Sequence, residues 1–270
     1  MIKCVIQAAD IHIRNFQRLN EYTEQLNKFI DKCKDIASNY ERDEVRILLC
    51  GDLVHQKLNI SNELMVFCSY FLRELEKIAN VIVYAGNHDL LVNNTTRTDT
   101  LTALFDTANF EHCRFLDREL DYESGCIEDD NIVWALYSIY DDYDKPELLG
   151  YENKTIIGLY HGTVVGATLN NGTVMENGVS GDIFKGCSCV MAGDIHKRQI
   201  LKRGDVEIIY PGSLIQQTFG ETVSQHGFVK WNIETMSHEF VDLENEYSLY
   251  DISINSIDDI DNNVEKLINF

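Results

Sequence analysis

Aspartate, histidine and asparagine recur in this chain in short segments of one kind: Asp10-Ile11-His12, Gly51-Asp52, Gly86-Asn87-His88-Asp89, His161 and Gly193-Asp194-Ile195-His196. Carboxylate oxygen, imidazole nitrogen and amide oxygen together suit manganese, iron or zinc better than calcium. Two such cations held about 3.5–4 Å apart can activate a bridging water and neutralise a phosphate under attack, which a lone side chain cannot do at neutral pH. Asp10-x-His12 places two donors on one side of an extended segment, because side chains alternate along it, and Asp194-x-His196 repeats the arrangement. One carboxylate has to bridge both ions. Asp52 is the candidate, since Gly51 before it lets the loop close tightly. The chain has eight histidines. His12, His88, His161 and His196 fall in these segments, and His55 follows shortly after Asp52. A lone histidine is more often structural, but that reading does not extend to five coincidences. It is kept for His112, His226 and His238.

These residues need elements to bring them together. Lys3–Ala9, Val45–Cys50 and Val81–Ala85 are apolar β runs, and each ends at one of the segments. Between them, apolar positions from Leu19 to Ala37 and from Leu64 to Ile78 recur at helical spacing, the second run behind a candidate N-cap at Ser61. This β-α-β-α-β order with continuously apolar strands predicts a parallel core sheet. Ligands on such a sheet gather at the carboxyl ends of its strands, so donors about forty residues apart in sequence converge. A short helix is expected over Thr98–Thr107. Beyond it the texture turns to short β segments: Arg114–Leu116, Leu120–Ile127, Ile132–Ser138, Thr155–Tyr160, Ser188–Ala192, Gln199–Lys202, Val206–Tyr210, Gly227–Ile233 and His238–Leu243. The expected fold is therefore α/β, a two-sheet sandwich flanked by helices. Residues 1–246 form the main domain. Leu249–Ile254 reads as a strand and Ser256–Asn269 as an acidic helix, so a further domain is expected to begin near residue 247.

Composition sets outer bounds. The chain has 270 residues, 44% of them hydrophobic, with no apolar run approaching a membrane span. Met1-Ile2-Lys3-Cys4-Val5 leads straight into a strand and lacks the pattern of a signal peptide. Eight cysteines, most within apolar patterns, are expected to be reduced, which points to the cytoplasm. Cys187-Ser188-Cys189 has the wrong spacing for a metal knuckle and reads as strand-edge packing. Net charge is −21. A protein that grips nucleic acid by itself usually offers a basic face, so a polyanionic substrate must here be held by metal ions, a local basic patch or a second protein.

The order Asp-x-His, Gly-Asp, Gly-Asn-His-Asp, His, Gly-x-x-His resembles the calcineurin-like metallophosphoesterase superfamily, over about residues 1–245. Gly51-Asp52-Leu53-Val54-His55 carries His where the protein serine/threonine phosphatases have Asp-Arg-Gly, and Gly86-Asn87-His88-Asp89 ends in Asp where they have Glu. His161-Gly162-Thr163-Val164-Val165-Gly166-Ala167 and Tyr210-Pro211-Gly212-Ser213-Leu214 are similar to the DNA double-strand-break-repair nuclease branch, that of the bacterial SbcD subunit and its phage relatives. The resemblance implies the four-layer αββα fold and two divalent metal ions, expected to be manganese. Asp10, His12, Asp52 and His196 would hold one ion; Asp52, Asn87, His161 and residue 194 would hold the other. It also implies that His88 protonates the leaving oxygen, that Asp89 orients His88, and that His55 contacts the phosphate. The implied activity is exonuclease and endonuclease cleavage of DNA. The implied partners are DNA, an SMC-like coiled-coil ATPase (SbcC-like) and a second copy of the chain, paired through helices at Ser61–Ala79 and Thr98–Thr107, with no membrane. The family usually has His where this chain has Asp194. Two other readings share these residues: a small-substrate phosphatase or cyclic-nucleotide phosphodiesterase, and a non-catalytic scaffold.

Overall fold

The computed structural model describes residues 1–57, 59–94, 96–250 and 256. Strand β1 (Cys4–Ala8) leads to helix α1 (Leu19–Ala37), β2 (Val45–Cys50), α2 (Asn62–Glu76), β3 (Asn80–Tyr84), α3 (Thr100–Ala108) and β4 (Cys113–Phe115). Ser61 caps α2, its side chain accepting the Leu64 N–H at 3.1 Å. Asp99 caps α3 in the same way, so that helix starts two residues later than its composition suggested. Then come the one-turn helix α4 (Leu116–Glu119), which no periodicity announced, and strands β5 (Gly125–Asp129), β6 (Ile132–Tyr137), β7 (Thr155–His161), β8 (Cys189–Gly193), β9 (Gln199–Arg203), β10 (Val206–Tyr210), β11 (Gly227–Asn232) and β12 (Ser237–Asp242). The β run expected from Leu120 begins only at Gly125. Leu120 closes α4, its N–H donating to the Leu116 carbonyl, and the chain turns before it extends.

Two six-stranded sheets result, ordered β12-β11-β1-β2-β3-β4 and β5-β6-β7-β8-β10-β9. In the first, β1 to β4 run parallel; in the second, β6, β7, β8 and β10 do. The sheets pack face to face on Val5, Leu48, Ile82, Trp134, Leu159, Met191 and Trp231, all buried. A few polar groups lie in this layer and are satisfied across it. Gln7 donates to the carbonyls of Ala192 and Ile209 and accepts from the Trp231 indole, and the Tyr84 hydroxyl donates to the Met191 carbonyl. The outer face of the first sheet lies under α1, α2 and α3. The outer face of the second is covered by the stretch around Val164, Ala167 and Phe184, built of loops and 3₁₀ turns. Both faces of the parallel strands are thus buried, which explains their unbroken apolar character.

The eight cysteines are free thiols, buried except for the half-buried Cys113 and Cys126. Among the described residues no helix is long and apolar enough to cross a membrane. Residues 249 and 250 belong to no strand. The rest of the strand expected over Leu249–Ile254, and the helix expected over Ser256–Asn269 apart from Ser256, lie outside the described residues.

Candidate metal centre

Five strands deliver the donors from their carboxyl ends. β1 leads to Asp10 and His12, β2 to Asp52, β3 to Asn87 and His88, β7 ends on His161, and β8 leads to Asp194 and His196. Parallel pairing within each sheet sets these ends level, and the facing of the two sheets closes the cluster. The loops after β1 and β2 run side by side. The N–H groups of His12 and Ile13 donate to the carbonyls of Asp52 and Leu53, and the His55 N–H donates to the Ile13 carbonyl, at 2.9 to 3.0 Å. Asp10, His12, Asp52 and Asp194 have φ of 52°, 51°, 55° and 92°. Left-handed backbone is unfavourable for such residues and survives where surrounding contacts enforce it. Two glycines allow the crowding. A Cβ on Gly51 would collide with the His161 ring, and one on Gly86 with the Asp52 carboxylate.

Three sets of donors lie within 4.8 Å of one another: Asp10, His12 and His196; Asp10, Asp52 and His161; His12, His55 and His88. Nε2 of His12 stands 3.0 Å from Nε2 of His196. Asp52 faces both ways, with Oδ2 3.4 Å from His12 Nε2 and Oδ1 3.4 Å from His161 Nε2. That disposition is what a carboxylate bridging two cations requires. His161 donates from Nδ1 to the Cys50 carbonyl at 2.7 Å, which leaves its Nε2 buried and without a hydrogen-bond partner. Asn87 Oδ1 is likewise buried and unpartnered. Orphaned lone pairs and crowded carboxylates are costly in a dry site. Burial pushes the Asp10 carboxyl up to about 7. Asp52 goes the other way: burial would raise it, but His161 and His12 outweigh burial and hold it below the usual carboxylate range. The residues present therefore fit divalent cations.

The outer contacts differ from expectation at two places. Asp89 makes no hydrogen bond to the His88 ring. It is fully buried, and its carboxylate accepts the backbone N–H groups of Asp52, Gly86 and Val54 at 2.8, 2.9 and 3.2 Å. It ties the loops after β2 and β3 together, and burial, then the nearby Asp52, pushes it up to about 8. The orienting of His88 falls instead to the His55 carbonyl, which accepts from His88 Nδ1 at 2.7 Å. Asp194 belongs to none of the three close donor sets. Its Oδ2 accepts from the Thr163 hydroxyl at 2.9 Å, while its N–H donates to Asp10. The shorter carboxylate side chain finds a hydroxyl beside it and is held there.

Sequence reasoning also missed Glu221. His196 donates from Nδ1 to Glu221 Oε1 at 2.9 Å, and Glu221 Oε2 accepts from the Ser213 hydroxyl and the Gln217 N–H, each at 2.9 Å. A carboxylate behind a ligating imidazole fixes its tautomer and makes it a better donor. The pairing raises His196 to about 9; burial opposes this, and Glu221 outweighs it. Glu221 has no local signature, lying 25 residues from His196 in a loop. Ser213 and Tyr210 sit in a segment the sequence did single out, and the Tyr210 hydroxyl donates to the Gly162 carbonyl at 2.8 Å. His226 supports this shell, its Nδ1 lying 3.1 Å from the Ser213 hydroxyl. His112 and His238 lie apart, beside Arg42 and Glu207.

The family described as calcineurin-like phosphoesterase matches residues 5–211. A curated relative, the uncharacterized protein R555 of Acanthamoeba polyphaga mimivirus, is 34% identical over 264 residues. The match covers 94% of this chain but 19% of the relative, so the chain spans about a fifth of that protein's length. Among solved structures, a novel archaeal phosphodiesterase is similar at 15% identity and a TM-score of 0.43, covering 89% of this chain and 99% of that one. A hypothetical protein from Pyrococcus horikoshii is similar at 14% identity and a TM-score of 0.45, covering 99% of this chain and 94% of that one. At these values neither likeness bears on function.

Proposed function

Since the chain belongs to the calcineurin-like phosphoesterase family, which hydrolyses phosphoesters with divalent metals, we propose that it is a DNA nuclease of the SbcD-like branch. The observation that carries this reading is the pair His55 and His88 beside the candidate ligands. Their rings stack at 5.1 Å with an interplanar angle of 23°, and both approach His12, at 5.4 and 4.7 Å between centroids. The phosphatases carry Asp-Arg-Gly where this chain has His55, so this site meets its ester with two imidazoles.

Asp10, His12, Asp52 and His196 would hold one ion, and Asp52, Asn87 and His161 the other, with Asp194 at its margin. When bound, two such cations supply an activated water and neutralise the phosphate. The remaining steps fall to side chains. His88, whose Nδ1–H is engaged by the His55 carbonyl, keeps Nε2 for the ester and, as the imidazolium, can give a proton from there to the leaving oxygen. Burial, then the charge of Arg14, hold His55 down to about 4, so it meets the phosphate as a neutral imidazole. Asp89 keeps the loops carrying Asp52 and His88 in register. Manganese is the cation this reading expects.

The same reading includes an SMC-like coiled-coil ATPase partner. A net charge of −21 supports it, because non-specific DNA affinity rests on basic contacts that a partner can supply. It also includes pairing of two copies. Val66 and Tyr70 on α2 are 69% and 50% exposed beside the exposed Phe16 and Leu19, and a groove of about 560 Å³ runs between them.

Incubation with manganese and either linear duplex DNA or p-nitrophenyl phosphate tests the function. DNA should be degraded while the small ester turns over slowly. Robust turnover of the ester with intact DNA reverses the reading in favour of a small-substrate phosphatase or cyclic-nucleotide phosphodiesterase. Inertness toward both, with metal bound, leaves a scaffold.

A further inference from the structure

Arg14 stands two residues beyond His12, at the rim of the imidazole cluster. The backbone places it there: Ile13 pairs with Val54, and the Ile13 carbonyl accepts the His55 N–H. Five of the ten arginines in this acidic chain are matched to carboxylates. Arg18 pairs with Glu21, Arg46 with Asp129, Arg114 with Glu119, Arg118 with Asp106 and Arg198 with Asp242. Arg14 forms no ion pair among the described residues. Its Nη2 reaches the Gln217 amide oxygen only at 3.4 Å, and its Nε is buried without a hydrogen-bond partner. The side chain is half-buried, so it is not closed off from a ligand.

A planar guanidinium held partly out of water with no carboxylate paired to it is suited to the paired oxygens of a phosphate. That phosphate is not the one under attack. The scissile group is met by the candidate ligands with His55 and His88, and Arg14 lies outside both. We infer that Arg14 binds the phosphate next to the scissile one, and so selects polynucleotides over small phosphate diesters. The inference rests on the nuclease reading and adds to it the substrate feature that the site selects for.

The test compares the parent with Arg14→Gln and Arg14→Lys on bis-p-nitrophenyl phosphate, which has a single phosphate, and on a single-stranded oligothymidylate, both with manganese. For Arg14→Gln, kcat/KM on the oligonucleotide should fall at least about tenfold further than on the small diester, mostly through KM, with Arg14→Lys intermediate. Binding of a labelled oligothymidylate in EDTA, followed by anisotropy, should weaken in Arg14→Gln. Its dependence on log salt should flatten by about 0.7, the value of one lost single-strand phosphate contact. Equal losses on both substrates with an unchanged salt slope would mean that Arg14 merely braces the loop against Gln217, and would overturn the inference. So would a parent-like variant on a parent that cuts the oligonucleotide; there the nuclease reading stands alone. A parent that turns over the small diester and leaves the oligonucleotide intact removes the nuclease reading, and the inference with it.

Discussion

His196 owes its orientation to Glu221, which in turn is held by Ser213 and Gln217. Glu221→Gln keeps the shape of this contact and removes its charge. Manganese affinity, measured by calorimetry, should fall about 10- to 100-fold, the range seen when such supporting carboxylates are lost. Parent-like affinity would reduce Glu221 to a loop brace. Asp194 offers a second test at this scale. As an anion beside Asp10 and Asp52 it lowers the positive charge of a loaded site by one relative to histidine. The parent should therefore retain hard cations more strongly and polarise the ester less than Asp194→His does. Affinity for manganese and cleavage rate, compared in the two proteins, check this; equal values in both would remove the argument. The contact with Thr163 gives the same residue a plain structural role, so both measurements are needed.

Between elements, Asp117 is the joint to examine. It lies on α4 and is almost fully buried. Oδ2 accepts the Ala85 N–H after β3 at 2.8 Å, and Oδ1 accepts the Ser138 hydroxyl after β6 at 2.6 Å, so one carboxyl links the two sheets close to the site. Burial raises it from 3.8 to about 6. The folded state thus holds this proton more tightly than the unfolded chain does. Its stabilising share is present below about pH 4 and is lost as pH rises through about 6, roughly 3 kcal/mol at 1.36 kcal/mol per unit. Asp117→Asn can still accept from Ala85 and can donate to a rotated Ser138 hydroxyl, without titrating. Urea unfolding of the metal-free protein at about pH 4 and pH 7 should show the parent losing stability relative to this variant across the interval. Parallel profiles would assign the pH dependence elsewhere.

At the scale of the molecule, charge and surface pull in different directions. Forty-four acidic against twenty-three basic residues disfavour unaided binding to DNA. Yet α2 leaves Val66 and Tyr70 exposed in a row with Phe16 and Leu19, an apolar strip of the kind that marks an interface. If two copies pair there, sedimentation at micromolar concentration should give a dimer that Val66→Glu with Tyr70→Glu converts to monomer, with helix content unchanged by circular dichroism. A monomeric parent would sink the pairing.

The sequence by itself determined the sandwich and which donors follow its strands. Continuous apolar runs at β1, β2 and β3 and helical periodicity at α1 and α2 are imprints of burial, which each element carries locally. The donors follow those runs, so convergence at the strand ends could be read without coordinates. Asp10, His12, Asp52, His161 and His196 are indeed brought together. Only the tertiary structure decided what each donor faces. Asp89 serves three backbone N–H groups rather than His88, Asp194 is taken by Thr163, and His196 leans on Glu221. These contacts join loops whose residues lie from a few to well over twenty positions apart, and they depend on left-handed turns that side-chain periodicity does not encode. A hydrogen bond across such a distance leaves no pattern in either partner's neighbourhood, so it becomes visible only once the sheets have set the loops side by side.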